Sequence, residues 1–257
     1  MAYMLAHTGS CLADIGRDLN RAEALLLEAE SLADRLGLKI IDIPFGMGIM
    51  RRYQGKVAEA RQLLAQGWRM TQIAQDHWRE CACLTNLVML ELEAGEPRQA
   101  LDYCSELVTV TAQMSGGTEA PHAAALDAVI RYALGEKEAA EAIARSCLTL
   151  QRLDSPRMLC YIQTFAAEID LQQQHTEQAI TRAQEALQAA QIVNNPSELA
   201  LAWAVFIQAE ISLGDRKSAT KHWQDFKQKV GKQALSHRAS TAFKGIEQQL
   251  LCRTKQR

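Results

Sequence analysis

At intervals of 38, 40, 40, 39 and 40 residues this chain repeats one alanine, at Ala22, Ala60, Ala100, Ala140, Ala179 and Ala219. Five residues before each stand Arg17, Gly55, Gly95, Gly135, Gln174 and Gly214. Glycine is 14 of 257 residues, so four glycines in one register are not an accident of composition. A charged residue follows each of the four: Lys56, Glu96, Glu136 and Asp215. The physical reading is a helix closed by a glycine in the left-handed conformation, followed by a second helix whose small alanine lets it pack close to its partner.

The segments on either side support two helices per unit. After most of these alanines, apolar or small residues recur three, four and seven places on, as in Leu25, Leu26 and Ala29 or Ile143, Ala144 and Cys147. That is a helix with one buried stripe. The first helices, such as "HWRECACLTNLVMLELEA", are more apolar, as expected of helices sandwiched in a stack. Ser155 before Pro156, and Asn195 before Pro196 with Glu198 three residues on, read as helix starts. No run alternates as a strand does. "ALSHRASTAFKGIEQQLL" reads as one further amphipathic helix that caps the array and runs into a basic tail.

The expected fold is therefore all-α. A lone hairpin cannot bury its apolar face and stacked ones can. The chain is expected to be a single domain over 1–257, a right-handed superhelical solenoid of about six antiparallel hairpins. Their bounds lie near 1–37, 38–76, 77–117, 118–154, 155–194 and 195–231, with the cap at 233–252.

Composition narrows the function. Hydrophobic residues are 48%, charged residues 23%, and the formal charge is −2. No strong basic surface points to nucleic acid. No run reaches 18 apolar residues, so no span of a membrane is expected. "MAYMLAHTGSC" ends like a lipoprotein signal but lacks a basic start, and its apolar stretch is broken by His7 and Thr8. The seven cysteines have no framework spacing and read as reduced thiols in a cytoplasmic protein. "YQGKVAEA" lacks the Ser or Thr and the second Gly of a phosphate loop. No HExxH, GxSxG or CxxC occurs, so no catalytic residue, cofactor or metal is assigned. His77 and Cys81 lie four apart on one helix face with Cys83 nearby, a spacing metals use, but ordinary packing explains it better.

Charges recur four residues before each turn: Arg51, Glu91, Arg131, Asp170 and Glu210, with Ala13 in the first unit. Neighbouring first helices lie about 8–10 Å apart. The expectation is a ladder of ion pairs between successive first helices; a charged stripe reading a partner is the alternative.

The Gly-to-Ala spacing, with small or apolar residues four and seven beyond the Ala, resembles the tetratricopeptide repeat. Gly95–Ala100–Cys104–Leu107, Gly135–Ala140–Ala144–Cys147 and Gln174–Ala179–Ala183–Ala186 carry it best, with Gly48, Ala128 and Ala167 at the small position seven before the turn. Val88 and Ile207 are bulkier there, and the period is near 40 rather than 34. The long-helix variety resembled occurs in the sensor regions of bacterial STAND-type regulators such as the maltose activator. The resemblance implies a non-enzymatic module that binds a protein or peptide in a concave groove lined by first helices. It places there the aromatic residues Phe45, Tyr53, Tyr132 and Tyr161, the charges Arg51, Arg52, Arg131 and Glu168, and Thr85, Met89, His122 and Thr164. Leu201, Ala204 and Gln208 could extend the groove. Alternatives are an oligomerisation or interdomain scaffold using the N-terminal edge, which would meet a second copy or an upstream domain, or the effector-binding sensor of a larger ATPase regulator.

Overall fold

In the computed structural model, residues 1–230 and 233–251 are described, and among them there are thirteen α-helices and no strand. Gly231, Lys232 and residues 252–257 fall outside the description. The end of the sixth hairpin, the last residue of the expected cap and the basic tail therefore lie outside it. No helix among the described residues is long and apolar enough to cross a membrane.

The chain divides into two compact units, Met1–Leu134 and Gly135–Arg257. The first holds α1 (Ala2–Ile15), α2 (Leu19–Leu36), α3 (Asp42–Tyr53), α4 (Val57–Ala74), α5 (His77–Glu93), α6 (Pro97–Thr111) and α7 (Glu119–Ala133). Here α1 packs on α2, α3 on α4 and α5 on α6, while each even helix also packs on the next odd one. The odd helices α1, α3, α5 and α7 touch in succession. The second unit holds α8 (Ala139–Arg152), α9 (Pro156–Gln172), α10 (Thr176–Val193), α11 (Pro196–Ser212), α12 (Arg216–Val230) and α13 (His237–Leu251). There α9 packs on α10 and α11 on α12, with α10 and α9 both against α11.

The turns follow from the repeated glycines. Gly55, Gly95, Gly135 and Gly214 have φ between 75° and 85°, and Gln174 takes the same left-handed turn at φ 66°. In the first unit of the repeat the turn glycine is Gly16 (φ 67°), one residue before the Arg17 of the alignment. Gly48 answers a different need: a Cβ there would lie 2.7 Å from Leu64 Cγ, so α3 and α4 approach closely only over a glycine.

The alanine stripes are buried. Ala22, Ala60, Ala100, Ala179 and Ala219 are all fully shielded, and each stripe continues at four and seven residues on: Leu26 and Ala29, Cys104 and Leu107, Ala183 and Ala186, Trp223 and Phe226. Of the two expected caps, Asn195 accepts from the backbone N–H of Ser197 at 2.9 Å and of Glu198 at 3.3 Å. Ser155 occupies the other N-cap position, but its side chain makes no cap bond to α9. The final helix α13 starts from Ser236, whose Oγ accepts the Ala239 N–H at 3.2 Å. It packs on α11 and sets Phe243 against Trp223 of α12 at 4.4 Å between rings. Complete burial of a side chain the size of Phe226 stabilises by about 1.5–3 kcal/mol.

Candidate functional site

The expected groove residues of the first unit stand on α3, α5 and α7. Arg52 is a fork across first helices: Nε and Nη2 donate to the two carboxylate oxygens of Glu93 on α5 at 2.9 and 2.6 Å, and Nη1 donates to Asn86 Oδ1 at 3.1 Å. Phe45 and Tyr53 are half-buried and pack against the apolar core. Met89 and Tyr132 are buried, whereas Thr85 and His122 are half-buried. In the second unit Tyr161 and Thr164 of α9 are buried, and Tyr161 stacks with Phe165 at 6.0 Å. Glu168 is bound by the Arg238 guanidinium of α13, which also lies 5.3 Å over the Phe165 ring. At the positions that could extend the groove, Leu201 and Ala204 are buried in the α11–α13 core.

Among the described residues, four of the recurrent charges, Arg51, Glu91, Asp170 and Glu210, form ion pairs with second helices. Arg51 meets Glu23 of α2 at 3.0 Å and Glu59 of α4 at 3.1 Å. Glu91, fully buried, accepts from Nε and Nη2 of Arg61 on α4 at 2.6 and 2.7 Å. That hydrogen-bonded carboxylate holds the Arg61 guanidinium above its ordinary value. Asp170, equally buried, meets Arg182 Nε of α10 at 2.8 Å. Glu210 pairs with His222 of α12 at 2.8 Å. Arg131 is held by Asp127, one turn back on its own helix, at 2.7 Å. First helices are linked at other positions, by Arg52 to Glu93 and by Arg79 to Asp42 between α3 and α5 and by Arg157 to Glu198 between α9 and α11.

The second unit carries an open cleft at a different place. A cleft of about 670 Å³ separates α8 from α10. One wall is Ala144, Cys147, Leu148 and Gln151 of α8; the other is Glu177, Gln178, Thr181, Arg182 and Glu185 of α10; Gln163 of α9 reaches it between them. Gln163 is buried, its Nε2 donating to Glu185 and its Oε1 accepting from Arg182 Nη1 at 3.4 Å. Asp170, Arg182, Gln163 and Glu185 thus form one connected row beneath α10. The Cys147 thiol is pushed up to about 11 by burial, with Arg182 opposing and Glu185 adding to the shift.

Helix α8, one wall of the cleft, differs in phase from the other second helices. The other second helices begin three residues before their repeat alanine, at Leu19, Val57, Pro97, Thr176 and Arg216. Helix α8 begins at Ala139, one residue before Ala140. Its buried stripe is Ala139, Ile143, Cys147 and Leu150, so Ala140 is only half-buried and Ala144 is exposed. The expected Gly135–Ala140–Ala144–Cys147 stripe is corrected here: Ile143 and Cys147 face inward, and Ala144 lines the cleft. With alanines at both 139 and 140, either residue satisfies the close packing, and the one-residue slip turns the first two turns outward.

Of the expected metal candidates, His77 Nδ1 lies 3.2 Å from Glu80, and Cys81 Sγ approaches Met114 Sδ at 3.5 Å. Burial, with Glu119 and Glu80 beside it, pushes the Cys81 thiol up to about 11; burial first, then the same Glu80, takes Cys83 to about 12. Among the described residues no group of three or more His, Cys, Asp or Glu is arranged to hold a metal ion. No protein-family model matches the chain, and no curated protein matches it.

Proposed function

We propose that this chain is a tetratricopeptide-like solenoid of about six hairpins with a capping helix, and that it serves as a non-enzymatic module binding a protein or peptide partner. In this reading it is the sensor or scaffold part of a bacterial signalling or transcriptional regulator. The observation that carries the reading is the serial pairing of helices around one recurring turn and alanine stripe. Modules of this construction bury the repeat face internally and offer the rest of each helix to partners. Tyr53 and His122, both half-buried on first helices, supply amphipathic contact surface in the first unit. Arg52 is a poor probe of binding because it ties α3 to α5.

The test immobilises the full chain, identifies captured proteins by mass spectrometry, and measures the recovered partner by calorimetry against the chain and its Tyr53→Ala and His122→Ala variants. A loss of about tenfold for either variant supports a first-helix binding face. Unchanged affinity for both rejects that face.

A second reading, an oligomerisation or interdomain scaffold, rests on α1. Its Tyr3, Met4 and Ile15 are 57%, 68% and 47% exposed on a helix whose other side is packed against α2 and α3. Light scattering of the full chain at increasing concentration separates the two: a mass that stays at one chain rejects self-association.

A further inference from the structure

We propose that the cleft between α8 and α10 binds a short basic amphipathic peptide, with its apolar side chains on α8 and a lysine or arginine against Glu177 and Glu185. The inference rests on the peptide-binding reading and locates a site on second helices, away from the first-helix face.

Three features of the cleft define the occupant. Its volume of about 670 Å³ is that of a site for a few side chains. Its walls differ in kind. The α8 wall is mainly apolar, with Ala144 and a 55%-exposed Leu148 facing outward, Cys147 behind them and Gln151 at its end. On α10, Glu177, Thr181 and Glu185 are spaced by four and share one helix face, so the carboxylates stand two turns apart along the opposite wall.

The charge is unbalanced. Arg182 is the one cation of the lining, and its charge is met by buried Asp170 at 2.8 Å. Among the described residues Glu185 bonds only the neutral Gln163 amide, and the Glu177 side chain has no cation partner. The cleft thus presents two uncompensated carboxylates opposite an apolar wall. Gln163, 4% exposed, fixes the Glu185 carboxylate before any ligand arrives. A cation entering here gains charge pairing without the reordering of a mobile side chain. A free polyamine would use the acidic wall alone; the apolar α8 wall favours a peptide.

The probe is a fluorescein-labelled twelve-residue peptide of leucine and lysine with leucines at helical three–four spacing, titrated with the full chain and read by fluorescence anisotropy. Matched Leu/Glu and Ser/Lys peptides serve as comparisons. Expected results are saturable binding of Leu/Lys only, weakening with salt, and a loss of about tenfold or more in the Glu177→Lys/Glu185→Lys double variant. Leu148→Ser is expected to weaken binding by about fivefold or more through lost apolar contact. Circular dichroism and thermal melting of each variant confirm an intact fold, and the milder Glu185→Gln serves if the double variant unfolds.

Absence of binding, or unchanged affinity in the variants, overturns the proposal. So does a Ser/Lys peptide that binds as well as Leu/Lys, or full displacement by equimolar spermidine, which would make the site a simple cation trap. Binding that ignores the cleft variants but falls with Tyr53→Ala or His122→Ala also overturns it, while leaving the first-helix reading in place.

Discussion

Helices α8 and α10 carry almost the same motif and do opposite things with it. In α10, Ala179, Ala183 and Ala186 are fully buried, and Arg182 is drawn down onto buried Asp170 of α9. In α8, Ala140 is half-buried, Ala144 is exposed, and Arg145 pairs only one turn away with Glu141, both side chains more than 70% exposed. The residue types match; the phase does not. A helix that starts two residues late relative to its repeat shows a different side to its neighbours in its first turns. Repetition in sequence thus specifies that a helix forms more strongly than it specifies which of two adjacent alanines faces inward.

The largest contrast is expected from charge. Arg182→Ala removes the guanidinium that meets buried Asp170 at 2.8 Å and should cost about 1–3 kcal/mol in urea unfolding. Arg145→Ala on α8 should change stability by less than about 0.5 kcal/mol. Equal effects of the two would break the comparison. Next comes volume. Ala183→Leu forces a larger side chain into the Ala167–Val205 contact and should cost about 1–3 kcal/mol, whereas Ala144→Leu at the matching register projects into the cleft and should be within about 0.5 kcal/mol of neutral. Asn195→Ala removes the cap of α11, the helix that receives α10, and should cost about 1 kcal/mol, read as a lowered urea midpoint with unchanged slope.

The smallest effect concerns pH. Cys147, raised to about 11, stays a neutral thiol in the folded chain where an unfolded thiol, at about 9, has ionised. A raised value means that the folded state binds the extra proton, so this contribution is complete below pH 9 and is lost as pH climbs toward 11. Cys147→Ala should flatten the alkaline fall in stability in that window, and alkylation at pH 8 should reach exposed Cys11 long before Cys147.

Much of the fold could be read from residues alone. The turn glycines, the alanine stripes on five second helices and the Asn195 cap are local signals, and each decides a local geometry. Even Gln174 keeps the left-handed turn, because the hairpins around it leave no other path. The α8 phase was not legible, since Ala139 and Ala140 are chemically identical and only the packed neighbours choose between them. Nor were the partners of the recurring charges: whether Glu91 meets another first helix or Arg61 depends on which helix crosses it at that height. The cleft was the least legible feature, for its lining comes from three helices that share a surface only once they are packed.

Residue-resolved amide hydrogen exchange of the full chain tests the α8 slip most directly. The backbone amides of Ala60, Ala100, Ala179 and Ala219 each bond four residues back, at 2.9–3.1 Å, whereas the first such bond in α8 is made by Ala142 to Glu138. Slow exchange at Ala60, Ala100, Ala179 and Ala219 with fast exchange at Ala140 and Glu141 is the predicted result. Protection at Ala140 equal to that at Ala100 and Ala179 would place α8 in register with the other second helices and contradict the account.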